Sequence, residues 1–248
     1  MNGEFLIDRR SGVAAWKQIA DRISRAIDAG EYDATGMVPP ETQLAEHFGV
    51  NRHTVRSAIA ALAEDGLLRR VPGRGTLIEK RERLVYPVGR RTRFSEGLGG
   101  QAGETDIRLL AEEECRATPG IAEALALEPD SPLVRLDTLS TADGIPISLA
   151  AHYFNRDRFA GIGRQLAACR SITRALAHYH VRDYVRVSTD VTARMAAADE
   201  AARLALAGPP IVLETVAVNA DAEGRPIQYS RTLFAADRIT LRLDTPAK

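Results

Sequence analysis

The sequence has little of what marks a secreted, metal-binding or membrane-spanning protein. Its two cysteines, Cys115 and Cys169, are far apart and lack the CxxC or Cys/His spacing of a metal site. We therefore expect no disulfide framework, no metal ion and no other cofactor. No stretch approaches the roughly 18 uninterrupted apolar residues of a membrane span, and the N-terminus has no apolar signal segment. These absences predict a cytoplasmic protein without a membrane partner.

Residue patterns typical of hydrolases and metallopeptidases are also missing. The sequence contains neither an HExxH spacing nor a GxSxG elbow. A nucleophile, a base and an orienting group are not grouped anywhere in it. The five histidines stand in different predicted elements, at positions His47, His53, His152, His178 and His180. We therefore expect no catalytic residues and disfavour an enzyme.

The sequence has no net charge, but its charge is unevenly distributed. Lysine plus arginine and aspartate plus glutamate each number 33 in the 248 residues. Residues 1–93 carry 16 basic and 12 acidic side chains, and residues 51–93 alone carry 11 basic and 4 acidic ones. A neutral chain with one local basic segment fits docking onto phosphates through a single face.

That basic segment follows a pattern typical of a winged helix-turn-helix. Leu44 and Phe48 lie four apart on one face of a short helix predicted from Glu41 to Phe48. Gly49 can supply the positive φ of a tight turn, and Asn51 is a good N-cap for a second helix that begins at Arg52. The inward-facing residues of this second helix are Val55, Ala58, Ile59 and Leu62.

The exposed start of the second helix and the tip of the following hairpin suit contact with DNA. An arginine in a major groove can pair with guanine O6 and N7, and glycine lets a hairpin tip approach the duplex closely. Thr54 and Ser57 suit phosphate or sugar contacts. The candidate DNA-binding residues are Glu41, Thr42, Arg52, His53, Thr54, Arg56, Ser57, Gly73 and Arg74. The alternative is a solvated helix face beside an ordinary glycine-rich hairpin.

Periodicity and composition divide the chain into two domains and a connection. An earlier amphipathic helix is predicted from about Val13 to Ala29 and is closed by Gly30. We assign residues 1–80 to the winged helix-turn-helix domain. Residues 81–104 form a linker and entry segment, because they mix charge and proline with little periodicity. Residues 105–248 form a second domain.

The second domain alternates long strands with short helices. Strands are predicted near 105–116, 132–142, 145–154, 184–196, 210–219 and 226–236, and helices near 119–127, 171–179 and 198–207. Two hairpins share a Gly-x-Pro-Ile turn exit at Gly144 and Gly224, and each follows a short Ala/Leu helix. This repetition predicts an internal duplication in an α+β domain with an antiparallel sheet. Such a domain can hold a ligand between its halves.

The segment Thr92-Arg93-Phe94-Ser95-Glu96 places two hydroxyls and a guanidinium where a short helix is predicted to begin. Helix N-termini bind anions through free N–H groups, and an arginine fork suits phosphate or phosphonate oxygens. The alternative is that Ser95 is only an N-cap and Arg93 a solvated charge.

Two motifs, NRHTVRSAI and YPVGRRTRFSEGL, resemble the GntR family of bacterial repressors and its HutC subfamily, and are most similar to repressors of phosphonate metabolism. The resemblance implies a chorismate-lyase-like effector domain behind the winged helix-turn-helix. It also implies a homodimer on double-stranded operator DNA with two-fold symmetry. Thr42 departs from the family, which often has arginine there. The positions that match the family's DNA contacts are Arg52, Thr54, Arg56, Gly73 and Arg74.

For the effector domain, the resemblance implies a small anionic effector such as a phosphonate, a phosphate or a phosphate ester. Thr138, Ser140 and Ala150 stand where sugar-phosphate-sensing relatives have two arginines and a glutamate, which argues against an amino-sugar phosphate. The effector-binding candidates are Thr92, Arg93, Ser95, Arg135, Thr138, Ser140, His152, Tyr153, Glu214, Tyr229 and Arg231. Each has an ordinary surface or structural alternative, and Glu214 can equally pair with Arg231.

The sequence thus predicts a ligand-responsive repressor of phosphonate or phosphate-related uptake and catabolism genes. One alternative is a HutC-type regulator of another catabolic pathway, with a sugar phosphate or an amino acid as effector. A second is a chorismate-lyase-like enzyme with a DNA-binding appendage. A third is a winged domain fused to an oligomerisation module that binds no ligand.

Overall fold

The computed structural model describes residues 7–8, 11–79, 83–91, 93, 97–206 and 210–244. The chain divides into two compact units, Met1–Glu82 and Arg83–Lys248. No helix among the described residues is both long enough and apolar enough to cross a membrane.

The described part of the first unit is built from three helices and a small antiparallel sheet. Its elements are α1 (Ala15–Asp28), β1 (Met37–Val38), α2 (Glu41–Phe48), α3 (Arg52–Glu64), β2 (Leu68–Val71) and β3 (Gly75–Ile78). The strands lie in the order β1-β3-β2. The first motif helix has the predicted bounds, the second begins at Arg52 as predicted, and the hairpin of β2 and β3 forms the predicted wing.

Local signals determine the helix-turn-helix geometry. Gly49 ends α2 with a φ of 62°, which turns the chain sharply. The Asn51 side chain then accepts a hydrogen bond of 2.9 Å from the backbone N–H of Thr54 and so caps α3. Apolar residues of α2 and α3 pack against α1 in one core. Its members include Ile19, Ile23, Leu44, Phe48, Val55, Ala58, Ile59 and Leu62.

The second unit is dominated by a six-stranded antiparallel sheet. Its elements are β4 (Leu84–Pro87), β5 (Thr105–Arg116), α4 (Pro119–Leu125), β6 (Pro132–Ala142), β7 (Ile145–Asn155), α5 (Ile162–Cys169), α6 (Ile172–Ala177), β8 (Tyr184–Met195), α7 (Ala198–Arg203), β9 (Ile211–Asp221), β10 (Pro226–Ala235) and β11 (Ile239–Arg242). The strand order is β5-β6-β7-β10-β9-β8. The six predicted long strands agree with these bounds to within two residues.

The sheet consists of two copies of the same arrangement. A strand, a helix and a hairpin occur first as β5-α4-β6-β7 and again as β8-α7-β9-β10. The two copies meet where β7 pairs with β10, at the centre of the sheet. Gly144 and Gly224 each have a φ of 77° in the hairpin turns, which glycine adopts without strain. This topology confirms the predicted duplication.

The two faces of the sheet are covered differently. On one face, α5 and α6 pack over residues such as Leu136 and Phe154. The same face also carries a second cluster, in which Tyr86 of β4 and Ile239 of β11 contact Phe234. The opposite face is covered by α4 and by the chain around α7. We call the first of these the pocket face and the second the outer face.

Three elements of the second unit differ from the prediction. The helix α5 and the strand β11 were not predicted, and β4 was assigned to the linker. β4 pairs in parallel with β11, so that Leu84 lies opposite Ile239. A four-residue strand has too few residues to show alternation, and its partner is far away in the sequence, so no local pattern could reveal this pair. The predicted helices at 119–127, 171–179 and 198–207 are shorter and end at Leu125, Ala177 and Arg203.

Candidate functional site

The first candidate surface is the exposed start of α3. Arg52, His53, Arg56 and Ser57 are exposed, whereas Val55 is completely buried. This separation follows from the cap at Asn51, because the helical phase that buries the apolar residues turns the others outward. The structure therefore presents these four predicted residues on one side of the first unit.

A carboxylate joins three elements of this surface. Glu41, at the start of α2, accepts hydrogen bonds from Arg56 of α3 and Arg70 of β2, each at 3.2 Å. Arg70 also donates to the backbone carbonyl of Arg56 at 3.3 Å. Glu41 therefore orients two arginines, and its predicted contact with DNA stays a prediction. Arg70 was not predicted, although the Arg69-Arg70 pair in the first strand of the wing was a usable signal.

Two hydroxyls that were predicted to contact DNA already donate hydrogen bonds within the protein. The Thr54 hydroxyl donates to the Asn51 side chain at 3.0 Å, and the Ser57 hydroxyl donates to the His53 carbonyl at 3.1 Å. Binding a phosphate oxygen would require these hydroxyls to rotate away from those acceptors. Thr42 is exposed on α2, but its side chain is short.

The tip of the wing is open to solvent. Gly73 has a φ of 75°, and no atom lies within 4 Å of the position a Cβ would take there. Arg74 is exposed beside it. Together with Arg52, Arg56 and Arg70, Arg74 makes this surface rich in guanidinium groups, as binding to a polyanion requires.

The second candidate site is a pocket of about 70 Å³ on the pocket face of the sheet. Apolar wall residues come from both clusters on that face, including Ile107 and Phe234. The polar and charged lining residues are Arg93, Thr138, Ser140, Ser148, His152, Arg186, Asn219, Gln228, Ser230 and Thr232, with Tyr86 and Tyr184. No carboxylate is among the residues that line the pocket in the described part of the chain.

Two arginines provide the positive charge of the pocket. Arg93 is 19% exposed in its side chain and pairs with Asp183 at 2.9 Å, and its guanidinium lies 5.3 Å from the ring centre of Tyr184. Arg186 donates from Nε to the side chain of Asn219 at 3.3 Å. Burial raises the pKa of Tyr86, and a hydrogen bond from Arg186 acts against that shift.

His152 lies in the floor of the pocket and is hydrogen-bonded at both ring nitrogens. Its Nε2 is 3.2 Å from the Thr138 hydroxyl, and its Nδ1 is 2.9 Å from Nε2 of Gln228. Burial is the larger cause, and the nearby charge of Arg186 the smaller one, that together lower the pKa of His152 to about 4. The ring is therefore uncharged at neutral pH.

Five predicted effector-binding residues lie on the outer face and do not line this pocket. Arg135 forms two hydrogen bonds of 2.9 Å with Asp137. Glu214 is paired with Arg231 and, at 2.5 Å, with Arg194. Tyr153 and Tyr229 pack edge to face with their ring centres 5.8 Å apart. These five residues point away from the pocket because successive side chains along a strand point to opposite faces.

The structure brings four of the eleven predicted residues together in the pocket, namely Arg93, Thr138, Ser140 and His152. Thr92 and Ser95 lie outside the described residues. Six further polar residues on the strands line the pocket and were not predicted, namely Ser148, Arg186, Asn219, Gln228, Ser230 and Thr232. Polar residues at every second position of a sheet strand were the signal that could have found them.

Neither unit offers a metal site within the described ranges. No group of three or more His, Cys, Asp or Glu side chains there could hold a metal ion. Cys115 and Cys169 are both free thiols, and burial raises the pKa of Cys115.

Comparison with known proteins agrees with this two-part architecture. Residues 15–78 match the family described as bacterial regulatory proteins, gntR family, and residues 100–240 match the UTRA domain. The chain is 55% identical over 240 residues to the HTH-type transcriptional regulator RB1450 of Rhizobium meliloti, which covers 97% of this chain and 98% of that protein. It is 29% identical over 235 residues to the Escherichia coli transcriptional regulator PhnF, which covers 92% and 94%.

A solved structure shows the same fold. The crystal structure of PhnF from Mycobacterium smegmatis aligns with a TM-score of 0.61 at 24% identity, over 93% of this chain and all of that one. The relatives are transcriptional regulators and not enzymes. With both family matches in sequence order and a relative that is similar along its whole length, the chain belongs to the GntR family of transcriptional regulators, in the HutC-like subfamily that carries a UTRA domain.

Proposed function

We propose that this regulator is a repressor whose affinity for operator DNA responds to a small anionic effector. The effector would be a phosphonate, a phosphate or a phosphate ester, and the regulated genes would serve its uptake and breakdown. The protein would act in the cytoplasm, where bacterial operators are found. The second candidate is a regulator of another catabolic pathway, with a sugar phosphate or an amino acid as effector.

The observation that carries this proposal is the charge of the pocket. Arg93 and Arg186 line it, and the Asp183 carboxylate that pairs with Arg93 is not among the lining residues. No described lining residue is acidic, and the other polar groups are hydroxyls, amides and an uncharged histidine. An anion entering this pocket would be stabilised by guanidinium groups and by charge-assisted hydrogen bonds.

The size of the pocket limits what can occupy its floor. A volume of about 70 Å³ is small beside the roughly 300–1,000 Å³ of sites for drug-sized ligands. It suits a compact head group such as a phosphonate. The hydroxyl-rich lining of Ser140, Ser148 and Ser230 keeps the sugar-phosphate alternative open, since a polyol could bind there as well.

A two-fold operator requires a dimer, and β8 offers an edge where a second copy could pair. β8 lies at one end of the sheet, and its exposed apolar residues are Val187, Val191 and Met195. The opposite edge strand, β5, carries exposed charges at Arg108, Glu112, Glu113 and Glu114, which discourage edge pairing. We therefore propose β8 as the dimer edge; sedimentation equilibrium should give twice the mass of one chain, and a monomer would contradict the proposal.

The proposed mechanism is a population shift. Without effector, the two recognition helices of a dimer would reach successive major grooves, about one helical turn or a small multiple apart. Effector binding would favour a spacing that cannot dock on both half-sites. The effector shifts this equilibrium only as far as it binds one state more tightly than the other.

The first experiment is selection of bound duplexes from a random DNA pool at a stated salt concentration. A two-fold symmetric consensus would support a dimeric, sequence-specific regulator. No enrichment with folded dimeric protein would contradict DNA recognition by the first unit in the absence of effector.

The effector is then sought by thermal shift with phosphonates, phosphate esters, sugar phosphates and amino acids, followed by titration of the DNA complex. We expect a phosphonate or phosphate to stabilise the protein and to change its affinity for DNA. Stabilisation by amino acids alone would favour the second candidate, and no stabilisation by any class would contradict an effector function.

A further inference from the structure

A continuous chain of side-chain hydrogen bonds crosses the floor of the pocket from β8 to β6. Arg186 Nε donates to Asn219 Oδ1 at 3.3 Å, and Asn219 Nδ2 donates to Gln228 Oε1 at 2.7 Å. Gln228 Nε2 lies 2.9 Å from His152 Nδ1. His152 Nε2 lies 3.2 Å from Thr138 Oγ1. Five adjacent strands therefore contribute one residue each.

Arg186 determines which group donates and which accepts in each of these hydrogen bonds. A guanidinium only donates hydrogen bonds, so the Asn219 oxygen faces Arg186 and its NH₂ group faces Gln228. The Gln228 oxygen must then accept, which turns the Gln228 NH₂ group towards His152. The amide orientations follow from this logic, since a reversed amide would place donor against donor.

The same donor and acceptor pattern determines which nitrogen of the imidazole ring carries the hydrogen. Because Gln228 donates, His152 Nδ1 has to be the unprotonated acceptor, and the ring hydrogen is on Nε2. Nε2–H then donates to the Thr138 hydroxyl. That hydroxyl keeps its own hydrogen, which it donates to the Ala150 carbonyl at 3.5 Å, the limit of a hydrogen bond.

The surroundings of His152 agree with an uncharged ring. The titratable groups that line the pocket with it are Arg93, Arg186, Tyr86 and Tyr184, and none of them is a carboxylate. A second ring hydrogen on Nδ1 would point at the NH₂ group of Gln228 and would add a positive charge near two arginines.

We infer that Asn219 and Gln228 are positioning residues. Because Arg186 donates to Asn219 at one end of the chain, Gln228 has to donate to His152 further along it. His152 then donates to the Thr138 hydroxyl, which is left as a hydrogen-bond donor to the bound ligand. The inference rests on the proposed function, since it specifies how the same pocket selects its effector. The ligand atom beside Thr138 would be one that accepts hydrogen bonds, such as an ionised oxygen of a phosphonate or phosphate, and not an ammonium or amide N–H.

The test reads the protonation of His152 directly. Two-bond ¹H–¹⁵N spectra of full-length protein with ¹⁵N-labelled histidine distinguish the two ring tautomers, and His152→Gln identifies the signals of His152 among the five histidines. We expect a protonated Nε2 and a bare Nδ1 at neutral pH. A protonated Nδ1, in either the neutral or the charged ring, would overturn the inference.

Gln228→Glu should reverse the hydrogen bond between residue 228 and His152. A carboxylate facing Nδ1 can only accept, so His152 should gain a hydrogen on Nδ1 and its pKa should rise from about 4. Asn219→Asp should move the hydrogen to Nδ1 as well, because an aspartate cannot donate to the Gln228 oxygen. Gln165→Glu, on α5, is the matched control and should leave the His152 signals unchanged. A folded variant at either position with the wild-type tautomer would refute the positioning role.

Binding of inorganic phosphate and methylphosphonate to the same proteins separates this inference from the proposed function. In the wild type we expect binding that Gln228→Glu weakens by about tenfold or more and Gln165→Glu does not. If the wild type binds neither anion, the proposed effector class is wrong, while the spectra still decide whether the chain positions His152. Equal affinity in Gln228→Glu, with a changed tautomer, would overturn the specificity role.

Discussion

Replacement of Arg56 by alanine is expected to weaken operator binding and to relax the preference for one base. Arg56 lies in the first two turns of α3, and its side chain is 50% exposed. Its ion pair with Glu41 at 3.2 Å holds the guanidinium at the surface and leaves it exposed. Arg56 is thus oriented before DNA arrives, which lowers the entropy cost of a base contact.

Two opposing contributions determine how much binding free energy the Arg56→Ala variant should lose. A bidentate arginine–guanine pair contributes about 1–3 kcal/mol of discrimination, and releasing an exposed ion pair costs about 0–1 kcal/mol. The net loss should be about 1–2 kcal/mol for each recognition helix, or about 5- to 30-fold in affinity. Arg56→Lys should recover little of this loss, because an ammonium keeps the charge but lacks the fork.

Fluorescence anisotropy with the selected operator and single-base variants, over a range of salt concentrations, measures these effects. Arg174→Ala, which removes an exposed arginine from α6 in the other unit, is the charge-matched control. A base contact predicts loss of discrimination at one position, with little change in the salt dependence. Unchanged affinity and base preference, or a uniform loss with a shallower salt dependence, would refute the base-reading role.

Three further predictions concern stability and the pocket. Asn51→Ala should destabilise the first unit by about 1 kcal/mol in denaturant unfolding, since it removes the cap of α3; no loss would mean that the cap is redundant. Arg186→Ala should abolish the response to the effector in calorimetry and leave operator affinity intact, and undiminished effector binding would contradict its role. For His152, the folded pKa of about 4 lies below the ordinary value of 6.5, so the unfolded chain binds more protons between these values. Stability should therefore fall by up to about 1.4 kcal/mol per pH unit as the pH drops through that window, and His152→Gln should flatten this part of the profile.

The helix-turn-helix could be predicted closely because its signals are local. Gly49 ends one helix, Asn51 caps the next, and the apolar spacing of Leu44 and Phe48 determines the buried face. The long strands were equally accessible, since alternation over about ten residues gives a clear pattern. Sequence logic did not show that Glu41 holds Arg56 and Arg70, because that contact joins residues far apart in the chain.

The pocket was only partly predictable. Thr138, Ser140 and His152 were found, but they were grouped with Arg135 and Tyr153, which alternation sends to the other face. Strand alternation does indicate from the sequence that neighbours such as His152 and Tyr153 face opposite sides, but it does not indicate which side holds the pocket. The hydrogen-bond chain could not have been found in this way, because it depends on the spatial order β8-β9-β10-β7-β6, which the sequence order of the strands does not show.

The pairing of β7 with β10 at the centre of the sheet makes the chemistry of the pocket depend on register. Ser230 lies opposite His152 in this pairing, and Gln228 reaches the same ring from the next pocket-facing position. A shift of one residue along β10 would exchange those polar groups for Tyr229 and Arg231, since alternation inverts the whole strand. A single-residue insertion or deletion in the second hairpin would therefore replace Gln228 and Ser230 in the pocket with Tyr229 and Arg231. A relative could acquire a different ligand in this way without any substitution in the pocket.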